Sequence, residues 1–174
     1  MLLLPVTIIL EQDSLFKRTM KKIIFALVFI TSFSCMAQKE TKKWLGYTDV
    51  DKLSTKFEWF SQSYVTYKPD PDYIKKLSAL APDYTFLVFG GIWCGDTKEL
   101  LPQFYKTIDQ AGISRDKVKL YLLDEKKISP EKLEVQYKIT RIPVFILLKD
   151  GKEVGRITEE TQKSIESDLA GLIK

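Results

Sequence analysis

Three features of this sequence specify an α/β fold with a mixed central sheet flanked by helices. Apolar runs near 84–89, 118–123, 144–148 and 153–157 alternate with helical patterns. Asp150-Gly151 joins the last two runs as a tight hairpin, which makes that strand pair antiparallel. Ahead of the first run the pattern is helical, which adds an N-terminal helical layer.

The first elements are read from spacing. Between Asp49 and Lys68, Leu53, Phe57, Phe60, Tyr64 and Tyr67 recur at helical steps, so one helix with one core-facing stripe is expected, ended by Pro69. A second short helix is expected from Pro71 to about Leu80, burying Ile74, Leu77 and Leu80. Tyr84–Phe89 is apolar on both faces, as a central strand in a covered sheet must be. A helix over about 96–110 follows, burying Leu100, Leu101, Phe104 and Ile108, with Pro102 inside it as a kinking residue.

A strand at Val118–Leu123 comes next, then a short helix opened by Ser129 as N-cap and Pro130 at its first position. Val144–Leu148 and a strand around Glu153–Ile157 form the hairpin. A last helix carries Ile165, Leu169, Leu172 and Ile173 on one face. The order is β-α-β-α-β-β-α behind the helical layer, with no internal repeat or low-complexity linker.

Composition sets the limits. The 174 residues are 45% hydrophobic and 29% charged, an ordinary globular balance for one domain with a real core. The net charge of +4 gives no case for nucleic acid as a partner. There is no histidine, which excludes Cys-His nucleophile pairs, histidine metal sites and Ser-His-Asp triads, and no metal or other cofactor is expected.

Met20-Lys21-Lys22, the apolar stretch Ile23–Ile30 and the small-residue end Ser34-Cys35-Met36-Ala37 read as a signal peptide over 20–37. Residues 1–19, with Glu11 and Asp13, read as an upstream extension ahead of the natural-looking start. Setting aside Lys17, Arg18, Lys21, Lys22, Glu11 and Asp13 leaves a near-neutral mature chain. A periplasmic or otherwise extracytoplasmic location follows. The rival for Cys35 is lipid acylation, although Ser32-Phe33-Ser34 is a poor approach sequence for it. In both cases Cys94 is left without a disulfide partner, an unusual state outside the cytoplasm.

Cys94 lies in Trp93-Cys94-Gly95-Asp96-Thr97, where a buried strand turns into a helix. The unpaired N–H groups and positive dipole end of that helix favour a thiolate. Thr97 is one helical turn on, placed for its hydroxyl to donate to the sulfur, while the carboxylate of Asp96 opposes the thiolate by like charge.

These residues resemble the thioredoxin active site. Trp93-Cys94-Gly95 is similar to its tryptophan, nucleophilic cysteine and glycine, and Pro102 to the proline of the helix that follows. Ile142-Pro143 is similar to the isoleucine and cis-proline facing the cysteine, and Lys149-Asp150-Gly151-Lys152 to the next hairpin. The resemblance implies a thioredoxin-like domain over 83–174, with 38–82 as an N-terminal helical elaboration.

Three departures accompany it. Thr97 replaces the second cysteine, Val88 the buried aspartate six residues before the nucleophile, and Leu120 the lysine that pairs with that aspartate. What the resemblance then implies is thiol–disulfide exchange by one nucleophile, Cys94, with proteins or small molecules carrying thiols or disulfides. Cys94 and Thr97 are the expected catalytic residues. Trp93, Gly95, Asp96, Arg141, Ile142 and Pro143 are the expected substrate-binding ones, with Arg141 placed to hold an acidic group. A non-catalytic peptide-binding module on the same groove is the alternative. Membrane association is expected only through a lipid at Cys35.

Overall fold

In the computed structural model the described residues are 20–21, 44–80 and 84–173. The chain divides into two units, Met1–Lys43 and Trp44–Lys174, and the fold below is that of the second. The readings of residues 1–19, of the leader apart from Met20 and Lys21, and of Cys35 lie outside the described residues.

Five strands make the expected mixed sheet, in the order β1-β3-β2-β4-β5. β2 (Tyr84–Gly90) lies at its centre, parallel to β3 (Val118–Leu122) and antiparallel to β4 (Val144–Lys149). β5 (Lys152–Thr158) closes one edge against β4. The hairpin between them has positive φ at both Asp150 and Gly151, the geometry its Asp-Gly sequence favours. β1 (Gly46–Thr48) pairs antiparallel with β3 at the other edge. The sequence reading missed this strand, so the N-terminal elaboration is not purely helical. Glu131 covers its outer side by accepting from the Tyr47 N–H at 3.0 Å.

The long helix expected over 49–68 is two. α1 (Val50–Lys56) and α2 (Glu58–Thr66) are separated by Phe57 in an extended conformation, φ −111 and ψ 110. Its N–H still caps α1 at the Leu53 carbonyl, while its ring packs edge-on to Trp44 at 5.2 Å and against Trp59 at 5.7 Å. Aromatic packing thus overrides helical continuity, and the apolar spacing survives because both helices bury residues in one core. α3 (Pro71–Ser78) starts as its sequence dictates, with Asp70 accepting from the Asp72 N–H and Pro71 at the first position.

α4 (Gly95–Gln110) accommodates Pro102 within its run. A 3-10 turn (Arg115–Lys117) leads into β3. The helix expected at Ser129-Pro130 begins later, as α5 (Leu133–Gln136). Ser129 instead closes a turn, its carbonyl accepting from the Lys132 N–H at 3.2 Å, and its buried hydroxyl donates to Glu134 at 2.7 Å. α6 (Ile165–Leu172) completes the chain, capped by Ser164.

Alternation along the strands separates two apolar clusters. Phe86, Val88, Leu120, Phe145 and Leu147 join Phe104 of α4 and the N-terminal helices in the larger one. Phe104 stacks on Phe145 at 4.8 Å and meets Phe86 edge-on at 5.4 Å. Leu87, Phe89, Val144 and Ile146 form the smaller one with Leu123, Ile139 and Ile142, and Trp93 and Cys94 pack against it.

Two charged clusters fasten the N-terminal layer. Asp109 accepts from Tyr64 Oη at 2.6 Å and from Arg115 Nε at 3.0 Å, and Arg115 also pairs with Asp51. Glu166, only 3% exposed, accepts from Tyr67 Oη at 2.5 Å and from the Asp70 N–H at 3.2 Å. Burial alone would raise the Glu166 carboxyl, but these donors hold it below the usual carboxylate range. Asp109 is shifted the same way, the hydrogen bonds of Arg115 and Tyr64 outweighing its desolvation.

Candidate functional site

Cys94 occupies the junction of β2 and α4. The segment Gly91–Cys94 turns tightly, with the Cys94 N–H donating to the Gly91 carbonyl at 3.0 Å, and Cys94 becomes the N-cap of α4. Its side chain is half-buried, and no N–H of the first helical turn bonds to it. The thiol points across the site and donates to the Ile142 carbonyl at 3.6 Å. The Ile142–Pro143 peptide bond is cis. Both residues are buried, so this wall of the site is backbone fixed by the end of β4.

Trp93 forms a second wall. Its Nε1 donates to the Leu123 carbonyl at 3.0 Å, which holds the indole over the smaller apolar cluster. Gly91 makes room for it. A Cβ there would lie 2.7 Å from Trp93 Nε1 and 3.0 Å from Ile142 Cδ1. Gly91 is thus needed for close approach.

Thr97 departs from expectation. It is fully buried, and its Oγ1 accepts from the Gly91 N–H at 3.2 Å. No hydrogen bond joins it to Cys94 Sγ among the described residues. Its methyl group packs so closely on β2 that a Cβ on Gly90 would meet it at 2.8 Å. The hydroxyl therefore fixes the turn that carries Trp93 and Cys94, rather than solvating the sulfur. Gly95 and Asp96 are exposed at the mouth of the site.

Arg141, immediately before Ile142, is exposed and bonds through Nη1 to Glu159 Oε2 at 3.1 Å. Glu159 has a positive φ of 64, and its N–H donates to the Pro143 carbonyl at 2.7 Å. Sequence reasoning did not find Glu159. It lies far along the chain and reaches the site only through the β4–β5 register. No group of three or more His, Cys, Asp or Glu side chains suited to a metal occurs among the described residues.

Comparison with known proteins bears on the fold and the family. The family model described as Thioredoxin matches residues 70–171, more than half of the chain. This chain belongs to the thioredoxin family. It is 32% identical over 78 residues to Thioredoxin H2-2 of Oryza sativa subsp. japonica, a match covering 45% of this chain and 54% of that protein. The chain thus spans about half the length of the curated relative it matches. Among solved structures, a protein of unknown function from Pseudomonas aeruginosa is similar with a TM-score of 0.54 at 13% identity. That match covers 74% of this chain and 92% of the other. A thioredoxin from Fasciola hepatica is similar with a TM-score of 0.38 at 21% identity, covering 59% and 88%.

Within the thioredoxin frame the two core departures are one change. Val88 and Leu120 are register partners on β2 and β3, 0% and 1% exposed, in the same apolar cluster. Had only one member of a buried charge pair been replaced, the other would be left unpaired at a cost of several kcal/mol (about 3–5 when a buried pair is broken). With both apolar, this part of the larger cluster closes without a buried charge.

Proposed function

We propose that this thioredoxin-family protein carries out thiol–disulfide exchange through Cys94 as its single nucleophile, with proteins or small thiols as partners. Redox chemistry of thiols and disulfides is what the family as a whole performs. The observation that carries the finer reading is the position of Cys94 Sγ: half-buried at the start of α4, beside Trp93, and facing the Ile142 carbonyl.

The step is a displacement. Cys94 loses its proton to solvent, and its thiolate attacks one sulfur of a partner disulfide. The Cys94–S bond forms as the partner's S–S bond breaks, and the departing thiolate takes a proton from water. Cys94 is oxidised and the departing sulfur reduced. With Thr97 in place of a second thiol, the mixed disulfide persists until an outside thiol attacks it. Trp93 and Ile142-Pro143 shape the groove in which the partner lies, and Gly95 and Asp96 border it. Thr97 serves as a positioning residue, through the Gly91 N–H.

The readings of the N-terminus join this proposal: residues 20–37 direct the chain out of the cytoplasm, and 38–82 elaborate a thioredoxin-like domain over 83–174. N-terminal sequencing of the exported protein tests them, and fatty-acid labelling at Cys35 tests the lipid-anchored rival. A non-catalytic peptide-binding module is the second functional reading, favoured by the buried Thr97 where a second thiol would sit. Cys94→Ser separates the two. The exchange reading expects partner capture to be lost in this variant, whereas the binding module expects it to survive.

A further inference from the structure

Arg141 and Glu159 form an exposed ion pair, Arg141 one residue before Ile142 and Glu159 tied by its N–H to the Pro143 carbonyl. Arg141 directly precedes Ile142, whose carbonyl receives the Cys94 thiol at 3.6 Å, so the backbone that carries the guanidinium borders the sulfur. One nitrogen of the guanidinium, Nη1, is bonded to Glu159. Arg141 is 68% exposed, which leaves the other donors of its fork open to a ligand. Glu159 is held in turn. Its N–H is tied to the Pro143 carbonyl at 2.7 Å, and its φ of 64 is one that residues other than glycine, asparagine and aspartate rarely adopt. With its backbone held in this way, Glu159 orients the guanidinium beforehand through its carboxylate bond to Nη1, which lowers the ordering cost of binding to it.

Asp96, exposed in the first turn of α4, brings a negative charge to the start of the helix that follows Cys94. A carboxylate near the disulfide is repelled by Asp96 and attracted by the Arg141 guanidinium. A planar fork with free N–H groups suits a carboxylate by shape as well as charge.

From these contacts we infer that Arg141, oriented by Glu159, makes Cys94 selective for disulfides that carry a carboxylate a few bonds from the sulfur. This rests on the exchange reading above, and it assigns Glu159 as a positioning residue. Attack proceeds as already written, with the carboxylate-bearing half retained on Cys94 and the other half leaving as a thiolate.

The test measures rates of mixed-disulfide formation at Cys94 in the full chain by intact mass and peptide mapping. The probes are 3,3′-dithiodipropionic acid, which is anionic, and 2-hydroxyethyl disulfide, which is neutral. The quantity read is the anionic-to-neutral rate ratio. Arg141→Gln is expected to lower it about threefold, in line with one exposed ion pair. Glu159→Gln, which keeps an acceptor and removes the competing charge, is expected to raise it. Lys52→Gln on α1 makes the same change in net charge as Arg141→Gln and is expected to move it less than Arg141→Gln does. In 1 M salt, where screening acts over about 3 Å, the wild-type and Arg141→Gln ratios should converge. Equal ratios for wild type and Arg141→Gln at low salt, with both probes reacting, overturn this inference and leave the exchange reading standing. Failure of both probes at Cys94 overturns the exchange reading, and the selectivity falls with it.

Discussion

The clusters that fasten the N-terminal layer and the group around Cys94 use their hydrogen-bonding capacity in opposite ways. Glu166 is buried and engages Tyr67 and Asp70, while Asp109 engages Tyr64 and Arg115. Around the site, Cys94 has one long bond to a carbonyl, and Arg141 has donors to spare. The first arrangement fastens helices to a core. The second leaves groups able to react with or hold something outside the chain. Charged or reactive residues are equally present in both, so the difference lies in which partners remain to be found.

The largest effect on stability is expected at Glu166. Glu166→Ala leaves the Tyr67 hydroxyl and the Asp70 N–H without their acceptor and is expected to cost about 3 kcal/mol in urea unfolding. A loss below about 1 kcal/mol would place Glu166 with the weakly engaged groups instead.

The two fastening clusters give a pH dependence. Both Glu166 and Asp109 are lowered, so their stabilisation is fully present above the unfolded carboxylate range near pH 4. It is lost as pH falls through their lower folded values. Glu166→Gln should flatten this acid limb of the stability profile. An unchanged acid limb in that variant would detach Glu166 from it.

A smaller effect is expected at Gly91. A methyl group there must displace Trp93 or Ile142, so Gly91→Ala is expected to cost about 2 kcal/mol and to change the tryptophan fluorescence. Smaller still is Thr97→Val. It removes the acceptor of the Gly91 N–H while keeping the shape, and about 1 kcal/mol should be lost. If Thr97→Val instead abolished mixed-disulfide formation at full stability, its hydroxyl would act on the sulfur, and the positioning role would be wrong.

Most of the α/β frame was legible because it depends on local signals. Apolar runs placed β2 through β5, Asp150-Gly151 placed the hairpin, and Pro71 opened α3. What escaped depends on distant partners. β1 is three residues long and exists through its register with β3. The break at Phe57 comes from aromatic rings on either side of it, which a repeat of apolar positions cannot show. Ser129-Pro130 carries a helix-start signal, but Glu134 takes the Ser129 hydroxyl and the helix opens later. In the site, Cys94, Trp93 and Ile142-Pro143 were readable as a set. The bond of Thr97 to Gly91 and the pairing of Arg141 with Glu159 were not, since each depends on how turns bring backbone and side chains together.

The most direct test of the central claim compares disulfide exchange at Cys94 in the folded protein and in the urea-unfolded chain. The neutral 2-hydroxyethyl disulfide serves as the probe, and peptide mapping separates Cys94 from Cys35. The exchange reading predicts a faster reaction at Cys94 in the folded state, giving an adduct that an added thiol removes. A folded-state rate equal to or below the unfolded one would contradict it, and would leave a groove that binds without reacting.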